Sequence, residues 1–145
     1  MSASLLDVNL LIALTWPPHE NHDHAQQWFR ENAQHGWASC PFTQAAFIRI
    51  VSNPVFSPDA VSPTEAAALL SFNLKHPQHL FWPDEITLTQ AIAPFSDRLV
   101  GHQQVTDAYL LGLAIHRKGR LATMDHAVSS LLATQTQKNE FLTLI

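Results

Sequence analysis

The chain has 145 residues, 46% of them hydrophobic and 14% charged, which suits one compact domain over residues 1–145 and excludes disorder of the low-hydrophobicity, high-charge kind. No apolar run has the length of a membrane span, Met1–Asp7 lacks the basic-then-apolar pattern of a signal peptide, and the lone Cys40 excludes intrachain disulfides, so a cytoplasmic protein is expected. The formal charge of −4 gives no basic footprint for a polyanion, which bound metal or local basic side chains would have to supply.

Ala3–Leu6 reads as a short buried strand ending at Asp7, and Val8–Leu14 continues as a helical turn or more until Trp16-Pro17-Pro18 ends it. Asn21 or Asp23 could cap a second helix whose apolar face is Ala25, Trp28, Phe29 and Ala33. Trp37–Cys40 is a second strand, and Pro41–Val51 a third helical run closed by Asn53-Pro54. After a Pro/Ser/Asp loop at 57–61, Ser62-Pro63-Thr64-Glu65 is a helix start, with Ser as N-cap, Pro at the first position and Glu placed for a capping box. That helix runs through Ala66–Asn73 and stops before Pro77. His79–Trp82 reads as a third strand with Asp84 and Glu85 just beyond it, and Leu88–Phe95 as another helix. Thr106 is the expected cap of the next helix, which opens at Asp107 and shows Leu110, Leu111, Ala114 and Ile115 at helical spacing. Lys118-Gly119 stops it, with Gly free to take φ > 0. Leu121–Met124 is a fourth strand that delivers Asp125; Ala127–Ala133 is a helix, a polar loop follows, and Phe141–Ile145 is a C-terminal strand. Strands alternating with helices at this spacing give an α/β fold, a three-layer α/β/α sandwich around a mostly parallel sheet.

In open parallel sheets, chemistry gathers at the carboxyl ends of the strands. Asp7 ends the first strand, Asp125 ends the fourth, and Asp107 begins the helix that leads to the fourth. Taken singly, each suits a cap or turn. If strands one and four are neighbours, the three carboxylates converge at one sheet edge, where they repel and raise one another's pKa. A hard divalent cation removes that penalty; Mg²⁺ fits, with Mn²⁺ as a substitute, and the reaction class is metal-assisted phosphodiester hydrolysis. Asn9 and Thr123 lie two residues from Asp7 and Asp125 and could hydrogen-bond the liganding carboxylates. His19, His22 and His24 offer no clean pair four apart and read as a solvated loop and helix start, and His102 and His116 have no visible partner. Arg49, Arg117, Lys118 and Arg120, with Arg98 nearby in sequence, could hold phosphates beside the acidic site. Basic residues at 117–120 equally suit a helix C-terminus.

Four segments carry a family resemblance: Leu5-Leu6-Asp7-Val8-Asn9, Thr43-Gln44-Ala45-Ala46-Phe47-Ile48-Arg49-Ile50, Gly101-His102-Gln103-Gln104-Val105-Thr106-Asp107-Ala108-Tyr109-Leu110 and Leu121-Ala122-Thr123-Met124-Asp125. In this order, in a chain this short, they resemble the PIN domain, and within it the VapC-like ribonuclease toxins of bacterial toxin–antitoxin pairs. The resemblance covers essentially the whole chain. It implies a PIN-like sheet in the order 3-2-1-4-5, a metal-dependent endoribonuclease acting on RNA, a cognate antitoxin that occludes the site, and a homodimer. It makes Asp7 and Asp107 the principal Mg²⁺ ligands and Asp125 the third acidic residue; Asp125 would then hold a second ion or the attacking water, with Asn9, Gln44 and Thr123 in support. The family's other acidic position, a Glu, falls at Gln44. An amide is a weaker ligand for a hard metal and cannot serve as a base near neutral pH. Glu65 and Asp84 are the acidic residues that could take its place, Asp84 foremost because it follows a strand. The expectation is therefore a Mg²⁺-dependent endoribonuclease toxin. The alternative is a catalytically attenuated or inactive PIN-fold module that binds RNA or a partner protein. A haloacid-dehalogenase-like phosphatase also starts from a strand ending in Asp, but it wants a second Asp where Asn9 stands.

Overall fold

Leu5 and Leu6 are both fully buried, one against each face of a sheet, because β1 (Ser4–Leu6) is its central strand. The computed structural model describes residues 2–145. In it β1 lies between β2 (Trp37–Ser39) and β4 (Arg120–Thr123), with β3 (His79–Phe81) and β5 (Leu142–Leu144) at the edges. All pairings are parallel and the order is 3-2-1-4-5, as the resemblance implies. Strands covered on both faces cannot alternate polar with apolar, which is why β1, β2 and β4 read as short apolar runs.

One face carries α1 (Val8–Thr15), α2 (His22–Asn32), α3 (Pro41–Val51) and α4 (Pro63–Asn73), packed through Leu10, Ala25, Phe47 and Leu70 onto Leu6, Trp37 and Ala122. The other carries α5 (Leu88–Ile92) and α6 (Val105–His116), with Ala91, Leu110 and Leu113 against Leu5, Ala38 and Leu121. These are the expected three layers. α1 is buried continuously from Leu10 to Thr15, since the sheet lies on one side of it and α2 and α3 on the other. No helix among the described residues is long and apolar enough to cross a membrane.

Several local expectations change. The helix beginning at Leu88 ends at Ile92 and tightens to a 3-10 stretch over Ala93–Arg98, where Pro94 has no N–H to continue the α ladder. Thr106 is not a cap: a 3-10 turn at His102–Gln104 runs into α6 at Val105, and the Gln104 carboxamide oxygen accepts the amides of Val100 and Gly101. At the end of α6 the left-handed residue is Lys118, with φ 58°, rather than Gly119. Gly119 is needed for a different reason, because a Cβ there would stand 2.6 Å from the Trp82 ring and 2.7 Å from the Ala3 carbonyl. The run after Asp125 is 3-10 over His126–Leu131 rather than α-helical. The polar segment after it forms α7 (Gln135–Phe141), started by a capping box in which the Thr134 hydroxyl accepts from the Gln137 amide and the Gln137 carboxamide accepts from the Thr134 amide. Phe141 consequently ends α7 instead of opening β5.

Candidate active site

The end of β1 is fixed against the end of β4. Leu6 pairs with Ala122, and the next amide, Asp7 N–H, donates to the Ala122 carbonyl at 3.0 Å. Asp7 then turns the chain into α1 as its N-cap, its Oδ1 accepting from the Leu10 amide at 2.9 Å. Its Oδ2 accepts from the hydroxyl of Thr123, a fully buried residue. The same hydroxyl oxygen accepts from the Asp125 amide at 2.9 Å, and Asp125 Oδ1 accepts from Ala127 N–H at 3.0 Å. One buried hydroxyl therefore ties together the strand ends that carry two of the acidic residues.

Asp107 joins them from the first turn of α6. Burial, followed by the charges of Asp7 and Asp125, pushes its carboxyl up to about 6. Asp7 is also raised, by burial above all; the Thr123 and Leu10 hydrogen bonds oppose the shift, the Asp125 charge adds to it, and the Asn9 amide opposes it. The trio is graded from interior to solvent: Asp7 is 4% exposed, Asp107 half-buried and Asp125 exposed. The structure thus brings Asp7, Asp107, Asp125 and Thr123 to one sheet edge.

Among the described residues, no three His, Cys, Asp or Glu side chains close into a ready-made metal cage. Asp107 feels the charges of Asp7 and Asp125, and the trio supplies only oxygen donors. That fits Mg²⁺, which keeps several waters and is commonly held through one or two carboxylates, better than a closed four-ligand zinc site.

The supporting residues divide. Asn9 meets Asp7 through its backbone amide, and its side chain is on an exposed position of α1. The Gln44 amide Nε2 donates to Ser39 Oγ at 3.0 Å, and Ser39 Oγ lies 2.8 Å from His79 Nε2. Burial lowers the His79 pKa, which favours the neutral ring. This Gln44–Ser39–His79 chain was not visible in the sequence, because parallel pairing of β2 with β3 brings together residues 40 apart. The alternation of strand faces, which puts Trp37, Ser39 and His79 on one side, is the signal that could have found it.

Neither replacement acid fills the Gln44 position. Asp84 acts on Tyr109 and is not among the charges that raise Asp7 or Asp107, and Glu65 is exposed in the first turn of α4. The basic residues at 117–120 do not stand beside the carboxylates. They precede or open β4, whose opposite end carries Thr123 and Asp125, so the sheet separates them. Arg117 Nε is 2.6 Å from Glu85 Oε1, with His116 Nε2 at 3.3 Å from the same oxygen. Arg120 donates to Thr143 Oγ1 and to the Leu142 carbonyl on β5, and Lys118 makes the left-handed turn. Arg49 and Arg98 are exposed, in the last turn of α3 and at the end of the 3-10 stretch. In the histidine cluster, His19 Nδ1 accepts from the Asn21 amide and His22 Nδ1 lies 2.8 Å from the Ala13 carbonyl, which is local loop and helix-start bonding.

No protein-family model matches the chain. Among curated proteins, Ribonuclease VapC38 of Mycobacterium tuberculosis is 41% identical over 144 residues, covering 98% of this chain and 99% of its own length. Ribonuclease VapC39 of the same species is 41% identical over 126 residues, 87% of this chain and 91% of its own, and Ribonuclease VapC44 is 36% identical over 97% and 99%. Among solved structures, VapBC2 from Rickettsia felis bound to a DNA fragment from its promoter contains a chain that matches with a TM-score of 0.68 over 98% of both chains. Its sequence identity is 13%, so it supports the fold alone.

Proposed function

The chain belongs to the VapC ribonuclease family, and on that premise we propose that it is a Mg²⁺-dependent endoribonuclease, the toxin of a toxin–antitoxin pair. The observation that carries the proposal is the convergence of Asp7, Asp107 and Asp125 at one sheet edge, the first and last tied by Thr123. Asp7 and Asp107 would hold the ion, Mn²⁺ serving in place of Mg²⁺, and Asp125 would complete the acidic set. When bound, a hard divalent cation supplies Lewis-acid polarisation of a phosphoryl oxygen and neutralises developing charge.

The chain's own residues do the rest. Asp7, clamped by the Leu10 amide and the Thr123 hydroxyl, keeps its carboxylate oriented without reorganisation. Asp107 enters from another element, so the cleft is completed only when α6 is docked. Asp125 has one oxygen engaged by Ala127; its Oδ2 accepts no hydrogen bond among the described residues and would orient a water and take its proton. A cognate antitoxin that occludes the acidic edge completes the proposal, in keeping with relatives named as VapC ribonucleases, and with it go a homodimer and a cytoplasmic setting.

Asp7→Asn and Asp107→Asn should each lower RNA cleavage on the order of a hundredfold or more, the scale of losing one key electrostatic contact in a transition state. Cleavage by purified protein is compared in Mg²⁺, Mn²⁺ and chelator. Unchanged activity in both variants, or in chelator, sinks the proposal.

Gln44 favours a second reading, an attenuated or inactive module that keeps the fold to grip RNA or a partner. Its amide already donates to Ser39 Oγ, and it brings no negative charge to the site. Gln44→Glu separates the readings, since the Ser39 hydroxyl can turn and donate to the new carboxylate. A gain in Mg²⁺-dependent cleavage identifies an attenuated nuclease. No cleavage before or after the change, with partner or RNA binding intact, identifies the module.

A further inference from the structure

The Tyr109 hydroxyl is a buried polar atom with no hydrogen-bond partner among the described residues, on a side chain only 1% exposed. Buried hydroxyls are ordinarily paired, and an orphan points to a partner that arrives later. Tyr109 lines a cavity of about 390 Å³ together with Phe42, Asp84, Glu85, Thr87 and Leu88. The Phe42 and Tyr109 rings are 4.6 Å apart, tilted by 40°. Phe42 is 43% and Leu88 40% exposed, so this cavity presents apolar surface to solvent.

We propose that this cavity is a nucleobase subsite that prefers guanine, a reading that rests on RNA being the substrate. Position comes first. Phe42 and Tyr109 come from α3 and α6, the helices that also carry Gln44 and Asp107, so the cavity shares two elements with the acidic edge and a base held here belongs to the same RNA strand. Charge comes second. The cavity is walled by Asp84 and Glu85, which repel phosphate and accept hydrogen bonds, so the part of a nucleotide it suits is a base rather than the backbone. Glu85 is engaged by Arg117 and His116, whereas Asp84 has no ion-pair partner among the described residues. Chemistry comes third. A carboxylate beside an aromatic surface matches a base edge that offers two adjacent N–H donors, and guanine alone does so, through N1–H and the N2 amino group. Adenine and cytosine set one amino group beside an acceptor, and uracil sets its single imino N–H between two carbonyls, which a carboxylate repels. Phe42 supplies the stacking face and Tyr109 a hydroxyl in want of a partner. The cavity size lies within the range of ordinary small-ligand pockets.

The test uses short single-stranded RNAs in which guanine is replaced, one position at a time, by inosine, which lacks the N2 amino group. Binding is read by fluorescence anisotropy in chelator, and cleavage separately in Mg²⁺. At one position, the replacement should weaken binding about tenfold, the scale of breaking one half of a bidentate base contact. Asp84→Asn should erase that difference and weaken inosine RNA less than guanine RNA, because inosine keeps N1–H but has no N2 amino group for the carboxylate to accept from. Tyr109→Phe should raise the melting temperature of the free protein, because it removes an unpaired buried hydroxyl, and yet weaken guanine-RNA binding several-fold. That opposition of signs is something a merely structural tyrosine would not show. RNA that is bound and cleaved without regard to base overturns the subsite and leaves the ribonuclease reading standing. Tyr109→Phe and Asp84→Asn that spare RNA binding but weaken a protein partner also overturn it, and assign the cavity to that partner. A protein that neither binds nor cleaves any of the RNAs overturns both readings together.

Discussion

A buried carboxylate needs its charge answered, and Asp7 has donors for the purpose in the Leu10 amide and the Thr123 hydroxyl. Burial still outweighs them, and the neighbouring Asp125 adds to the imbalance. Asp107 has the same difficulty with fewer remedies, its carboxyl raised from 3.8 to about 6 by burial and the two neighbouring charges. Both groups keep their protons in the folded protein at pH values where the unfolded chain has released them. Between those values the unfolded state binds fewer protons, so the slope of stability against pH is negative. The contribution is fully present below the unfolded value near 3.8 and is lost as pH rises through about 6. Metal-free protein should therefore melt at a lower temperature at neutral pH than near pH 5 through these groups, and Mg²⁺ should recover more of the loss at neutral pH than at acid pH. Thermal scans in chelator and in Mg²⁺ at both pH values check this. A chelated protein that grows steadily more stable up to neutrality would show that these carboxyls are not held above their ordinary range in solution.

At the scale of elements, the positions of Asp7, Asp107 and Asp125 were legible because each sits where an element begins or ends, and Asp7 and Asp125 are indeed caps. β1, β2 and β4 were legible for a related reason: strands covered on both faces leave short apolar runs that punctuation isolates. α7 was not, because its sequence has no apolar stripe and its start is set by a capping box inside what read as polar loop. The Gln44–Ser39–His79 chain was hidden because it depends on which strands pair. Close approach was hidden too. Gly112 lies in the middle of α6, where a glycine ordinarily weakens a helix, yet a Cβ there would come 2.1 Å from the Ala91 carbonyl oxygen of α5. Nothing but glycine lets α5 and α6 meet at that distance without moving backbone. Gly112→Ala should therefore destabilise by about 2 kcal/mol or more despite the better helix propensity of alanine. Gly101→Ala, which meets nothing within 4 Å, should stay within about 0.5 kcal/mol. Urea midpoints of the two variants give the comparison, and equal midpoints would mean that α5 yields freely. Because α6 also carries Asp107, the same movement should reach the acidic cleft.

Across the whole molecule the charges are separated. The acidic trio stands at the carboxyl end of β1 and β4, while Arg117, Lys118 and Arg120 lie at the other end of β4, where Arg117 is paired with Glu85 and Arg120 is bonded to β5. With eight Lys and Arg side chains against twelve Asp and Glu, this chain has few cations with which to replace the counterions of RNA. Affinity that comes from phosphate neutralisation falls with salt at a slope of about −0.7 per contacted phosphate on single strands. A chain that grips RNA chiefly through a divalent ion and a base pocket should release few counterions. The expected dependence of log affinity on log monovalent salt, at fixed Mg²⁺, is therefore no steeper than about −2, equivalent to about three phosphates. Removing Mg²⁺ should cost more affinity than raising the salt, since the acidic edge then faces the backbone with its charge unrelieved. Anisotropy titrations across a salt series, with and without chelator, measure both quantities on one sample. A slope steeper than about −4, equivalent to about six phosphates, would call on most of the chain's eight Lys and Arg side chains at once, and would move RNA recognition away from the acidic edge.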